Sequence, residues 1–171
     1  MTKKEINEIV KIKEDKGREL FYFAFKDDYR MDFTEDKNCP YDATSTGKTN
    51  GDMWLVEIKC YIGGEYARPY DKINPRTGKP YPNYQIDYEK LVKVSDLAHQ
   101  RNHIPILVVF FTDRMLIWNL DMVDWQSTYT EGVWCNDYGY DYGKSKSNKT
   151  PQAYLYNKDA VFEHLWTNMK S

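Results

Sequence analysis

The sequence predicts one domain of the α/β (α+β) class, a mixed central β-sheet flanked by helices. Three observations carry that expectation. Apolar residues recur at helical spacing near residues 3–27 and again near 84–103. Apolar runs of strand length stand between and after them: "MWLVEIKCYI" at 53–62, "IPILVVFF" at 104–111 and "MLIWNLD" at 115–121. Their order, helix, strand, strand, helix, strand, strand, places helices against a mixed sheet. The chain has 171 residues, 41% of them hydrophobic and 29% charged, which fits a single globular domain over residues 1–171.

Each element has a local reason. Ile6, Ile9, Val10 and Ile12 lie close to one helical stripe, and "RELFYFAFKDD" continues it to about residue 27. Phe21, Phe23 and Phe25 also alternate as in a strand, but one long helix is the reading adopted. "CPYDAT" at 39–44 reads as a short strand and "STGKTNGD" at 45–52 as a turn, so that these join 53–62 in a hairpin. Residues 63–83 are rich in Gly and Pro without periodicity, a long loop of the kind that is usually functional or mobile. Ile86, Leu91, Val94, Leu97 and Ala98 place an amphipathic helix over 84–103. "IPILVVFF" is a buried strand, and Thr112-Asp113-Arg114 turns into the strand "MLIWNLD". Residues 127–150 read as a loop with a basic end at Lys144, Lys146 and Lys149, and "AVFEHLWTNM" at 160–169 as a closing short helix.

Several function classes are disfavoured. A formal charge of −2 is unlike a protein that wraps nucleic acid, so any such contact needs a local basic patch or metal-neutralised carboxylates. The apolar run 104–111 is too short to cross a bilayer, and the N-terminal "MTKKEINEIVKIKEDKG" has no apolar leader, so no membrane role and a cytoplasmic location are expected. Cys39, Cys60 and Cys135 form no C-x-x-C pair, which disfavours structural zinc and a disulfide framework. His99, His103 and His164 lack a metal-ligand pattern.

Two stretches look like chemistry. Gly47-Lys48-Thr49 ends like a phosphate-binding loop, but Asp42 stands where that loop needs its first glycine, and a strand, not a helix, follows. Gly47-Lys48-Thr49 is therefore read as the hairpin turn. The second stretch is Asp42 with Glu57-Ile58-Lys59. Three Glu-x-Lys triplets occur, at Glu14, Glu35 and Glu57, and only the last sits inside an apolar strand. Alternation puts Glu57 and Lys59 on one face and Val56, Ile58 and Cys60 on the other. Two charges there are costly unless they pair or hold metal. Asp42, on the partner strand, can lie beside Glu57, and two carboxylates with a lysine suit a hard divalent cation such as Mg²⁺.

"PYDATSTGKTNGDMWLVEIK" resembles the core of the PD-(D/E)XK nuclease superfamily, and the element order over about residues 5–120 resembles its restriction-endonuclease-like core, leaving 121–171 as a C-terminal extension. Pro40 and Asp42 are separated by Tyr41, so the literal Pro-Asp pair is absent. The resemblance implies a Mg²⁺-dependent DNA endonuclease of recombination, junction-resolving or restriction type, with Mn²⁺ able to substitute. It implies Asp42 and Glu57 as metal ligands, the carbonyl of Ile58 as a third, and Lys59 as the catalytic lysine. It also implies a first-helix glutamate, with Glu19 chosen and Glu14 the alternative, and Gln85, Tyr88 and Lys90 as candidates from the helix after the Glu-x-Lys strand. Small members of this kind usually act as homodimers and are common in phages and mobile elements. In the 63–83 loop, Arg68, Lys72, Arg76 and Lys79 stand among Tyr66, Tyr70 and Tyr81, a set suited to phosphates and unpaired bases, and Arg76 and Lys79 are taken as DNA contacts. An inactive nucleic-acid- or protein-binding module on the same fold is the alternative, and RNA as substrate stays open.

Overall fold

The computed structural model describes residues 3–63, 67–71, 73, 78–79, 84–128 and 151–165. Helix α1 spans Lys3–Phe25, followed by strands β1 (Tyr29–Phe33), β2 (Ala43–Gly47), β3 (Met53–Cys60) and β4 (Tyr84–Asp87). Helix α2 (Tyr88–Gln100), β5 (Ile104–Phe110), β6 (Arg114–Asn119), β7 (Gln152–Leu155) and β8 (Phe162–Leu165) complete the order. A six-stranded sheet runs β1-β2-β3-β5-β6-β8, and β4 and β7 form a separate two-stranded sheet. Among the described residues, β3 and β5 pair in parallel in the large sheet and its other neighbours are antiparallel. The molecule is thus mixed α+β with a mostly antiparallel central sheet. No helix among the described residues is long and apolar enough to cross a membrane.

Alternation along β3 and β5 divides the core into two layers. Val56, Ile58, Cys60, Ile106, Val108 and Phe110 share one layer with Phe21 of α1. Leu55, Leu107 and Val109 face the other with Leu91, Val94 and Ala98 of α2. The phenylalanine ambiguity in α1 resolves by helical period. Phe21 is fully buried and its ring lies 5.0 Å from that of Phe25, while Phe23, which a strand would place beside them, is 59% exposed. Gly17 permits a close seat: a Cβ there would lie 3.0 Å from Ile58 Cγ2 and 3.1 Å from Cys60 Cβ.

The predicted hairpin is present, with Ala43 opposite Val56 and Thr46 opposite Met53. Its turn is shorter than expected, because β2 runs through Gly47 and the reversal falls on Lys48–Asn50, closed by Gly51 at φ 72°. Two other local expectations are corrected, and one strand is added. Residues 84–87 are strand rather than helix: Tyr84 and Ile86 are buried and pair with Leu155 and Ala153, partners too distant in sequence to register in a helical window. The closing segment is β8, an edge strand on β6, not a helix. The strand β1 had no local expectation, although "YRMDF" alternates once β2 is beside it. Residues 129–150, including Cys135 and the Lys144, Lys146 and Lys149 group, lie outside the described residues, as does the 166–169 end of the expected closing helix.

Candidate active site

The β2–β3 ladder creates the site by running out. Its last backbone bond in this direction is Asp42 N–H to Val56 O at 2.8 Å. One step further along β3 there is no backbone partner from β2, and the Asp42 carboxylate takes over: Ile58 N–H donates to Asp42 Oδ2 at 2.8 Å. In a strand, the N–H and C=O of one residue point to the same edge, so the Ile58 carbonyl also points past the end of β2 beside Asp42. Asp42 Oδ1 accepts from Arg18 Nη2 at 3.0 Å, and Arg18 Nη1 donates to Thr34 O at 2.8 Å, which ties α1 to this corner.

Glu57 lies next to that corner and is only 2% exposed. Lys59 Nζ stands 2.8 Å from its Oε1, as two residues on one strand face allow, and Lys90 Nζ of α2 stands 3.1 Å from its Oε2. Two carboxylates therefore meet three cations. Burial pushes the Glu57 carboxyl above its ordinary range; Lys59 pulls it down, Asp42 pushes it up and Lys90 pulls it down again. Burial alone would favour neutral Lys59, but the adjoining Glu57 carboxylate, their hydrogen bond and Asp42 outweigh it and hold the ammonium well above its ordinary value. Lys59 keeps 38% of its side chain exposed, which agrees with a charged head at the edge of a cleft.

That cleft holds about 760 Å³. Asp42, Glu57, Ile58, Lys59 and Lys90 line it. One wall is the polar face of α1, with Lys4, Lys11 and Arg18 interleaved with Glu8, Glu14 and Asp15. Glu35, Asp36, Lys37, Cys39 and Tyr41 also line it. Of the expected set, Asp42, Glu57, the Ile58 backbone, Lys59 and Lys90 are brought together.

The rest is placed elsewhere. Glu19 is turned away and pairs with Lys16 at 3.1 Å in an exposed i,i+3 bridge, while its alternative Glu14 lines the cleft. Tyr88 packs its ring 5.4 Å from Trp125, and Gln85 pairs with Tyr154 in the small sheet. Lys79 is exposed and is not among the described residues lining the cleft; Arg76 lies outside the described residues. Arg68 stacks 4.3 Å from the Tyr61 ring, a packing contact. The reading of α1 followed its apolar stripe and so missed Arg18. The signal was there: Lys4, Lys11 and Arg18 recur every seven residues on the polar face.

Among the described residues no group of three or more His, Cys, Asp and Glu side chains converges as a metal cage. Asp42 and Glu57 line one cleft with Ile58 between them, and carboxylate and carbonyl oxygens are the kind that suit Mg²⁺, which keeps several waters of its own. Each carboxylate oxygen already accepts one partner and retains a second lone pair. No protein-family model matches the chain, and no curated protein matches it.

Proposed function

We propose that the protein is a Mg²⁺-dependent nuclease, of restriction-endonuclease-like core, that hydrolyses DNA phosphodiester bonds. The observation that supports this best is the convergence of Asp42 and Glu57 at the floor of a cleft with Lys59 paired to Glu57. Asp42, Glu57 and the Ile58 carbonyl are the groups that would hold Mg²⁺, with Mn²⁺ as a substitute. Bound there, the ion would stabilise charge on a phosphoryl oxygen and make its water more acidic. Lys59, 2.8 Å from Glu57 with its head at the cleft, is placed to orient the attacking water and to stabilise the negative charge that builds on the phosphate oxygens. Lys90 and Arg18 keep the two carboxylates in place and stand within the cleft as further cations for the scissile phosphate. Glu14 is the first-helix carboxylate nearest this role.

A second reading rests on one observation: both Glu57 oxygens and both Asp42 oxygens have protein partners, as a purely structural ion network would. In that case the fold is a binding module without catalysis. The two are separated by incubating the protein with labelled DNA and RNA substrates in Mg²⁺, Mn²⁺ or chelator, beside Lys59→Ala and Asp42→Asn. Metal-dependent cutting lost in both variants supports the nuclease. A folded protein that cuts nothing in any metal refutes it.

A further inference from the structure

We infer that the cleft admits one nucleic-acid strand at a time, so the substrate is single-stranded DNA, or the unpaired arm of a branched DNA, rather than an intact duplex. The inference rests on the nuclease reading and narrows its substrate.

The first argument is width. The α1 wall runs from Lys4 to Arg18, fourteen residue steps, which is about 21 Å of helix. A cleft of about 760 Å³ spread along that length has a mean section of about 36 Å², a narrow trough. The two grooves of a duplex reach about 8.5 and 7.5 Å into its body, which is broader than such a trough. The second argument is depth. Glu57 is 2% exposed and sits on a central strand under Lys59 and Lys90. A phosphate must enter the cleft to meet it, and a phosphate on the outside of a duplex is attached to a body that cannot follow.

Charge gives a third argument. The three basic residues of the α1 wall stand among Glu8, Glu14 and Asp15, so that wall is close to neutral. A duplex carries one charge per about 1.7 Å of axis and a single strand one per about 3.4 Å, so a near-neutral wall penalises the duplex more. Finally, Tyr41 lines the cleft one residue before Asp42, and Arg101 fixes it by donating to its hydroxyl at 3.0 Å. The Arg101 guanidinium lies 5.3 Å over the ring and Tyr41 packs against the α2-side core, so an unpaired base would stack on the part of the ring that faces the cleft.

The test uses the full chain and one DNA sequence presented as single strand, blunt duplex and duplex with an unpaired arm. Cleavage in Mg²⁺ is followed for the wild type, and affinity is followed by fluorescence anisotropy for Lys59→Ala, whose slower cleavage leaves the substrate intact over the measurement. Single strand and unpaired arm are expected to be cut, and bound by the variant, about tenfold or more better than blunt duplex, the worth of one stacked base. Cleavage is expected within the unpaired arm. Blunt duplex cut as fast as single strand overturns the inference and leaves the nuclease standing. If nothing is cut in Mg²⁺ or Mn²⁺, the nuclease reading fails. The anisotropy arm then decides the cleft by itself: a single-strand preference upholds the one-strand fit, and equal or duplex-favoured binding overturns it.

Discussion

Lys90 Nζ lies 3.1 Å from Glu57 Oε2, so helix α2 reaches across to the same buried carboxylate that Lys59 holds from within β3. The two lysines divide the carboxylate between them, one oxygen each. The pair belongs to two elements separated by the whole 63–83 segment, and it locks α2 to the parallel centre of the sheet.

Lys90→Met should lower stability at neutral pH by about 1–3 kcal/mol, because it leaves a buried carboxylate with one cation in place of two. The figure sits below that for an isolated buried pair because Lys90 is 30% exposed and Lys59 remains. Urea unfolding measures it. An unchanged midpoint would mean that Lys59 alone neutralises Glu57.

Lys59→Ala should reduce the cleavage rate by about 10²–10³-fold, the usual loss when one donor to a developing oxyanion is removed. Lys59→Arg, which keeps the charge, should restore part of that rate. If instead activity in Lys59→Ala recovered fully at high pH, a base function elsewhere would be carrying the reaction. The assay is initial rate against pH in saturating Mg²⁺.

Glu57 supplies a pH signature in the metal-free protein. Burial holds its carboxyl above the ordinary value of 4.5, so in the acid-to-neutral range the folded state binds this proton more tightly than the unfolded chain. Its contribution is full below about 4.5 and is lost as pH rises through the folded value. Wild-type stability, measured against Glu57→Gln in chelator, should therefore fall as pH rises above about 4.5. A difference that rose over that window would reverse the assignment.

Glu19→Ala should leave both cleavage and stability nearly unchanged, within about 0.5 kcal/mol, because Glu19 makes only an exposed bridge to Lys16. Arg18→Ala, one residue away, should impair both, since Arg18 holds Thr34 O and Asp42 Oδ1 together. Cleavage assays and thermal melts of the two variants provide the comparison. Equal effects would argue against a special role for the α1 face that carries Arg18.

Removal of metal should abolish cleavage without unfolding the protein. Three cations already neutralise Asp42 and Glu57, so no unbalanced carboxylate is left behind. Melting temperatures with and without chelator should agree closely, in contrast to a structural zinc protein.

Most of this site could be read from the chain because it is local. Glu57 and Lys59 share a face by strand alternation, and Asp42 is brought to them by a hairpin whose turn residues are explicit. The partners Lys90 and Arg18 differ in kind. Lys90 was reached by resemblance, whereas Arg18 sits in the seven-residue recurrence of cations on the polar face of α1, which a reading of the apolar stripe passes over. The errors in the fold have a common cause. "YQID" and "FEHL" are short and ambiguous, and each becomes strand because a distant partner, β7 or β6, offers backbone hydrogen bonds. Within "CPYDATSTG", the assignment of strand to turn slipped because Ser45, Thr46 and Gly47 have turn composition yet occupy a paired strand, with β1 on the other side.

Gly17 has a consequence beyond packing. It gives up about 0.5–1 kcal/mol of intrinsic helicity to let α1 rest against Ile58 and Cys60. The next residue is Arg18, and the two residues under the helix flank Lys59. The absent methyl therefore acts as a shim: it sets the gap between the α1 wall and the β3 floor. Gly17→Ala would wedge α1 off β3 by a few tenths of an ångström and shift the α1 wall against Asp42, Glu57 and Lys59 without replacing any of them. On the proposed nuclease reading, the calibre of the cleft is adjustable at a position that does not line it.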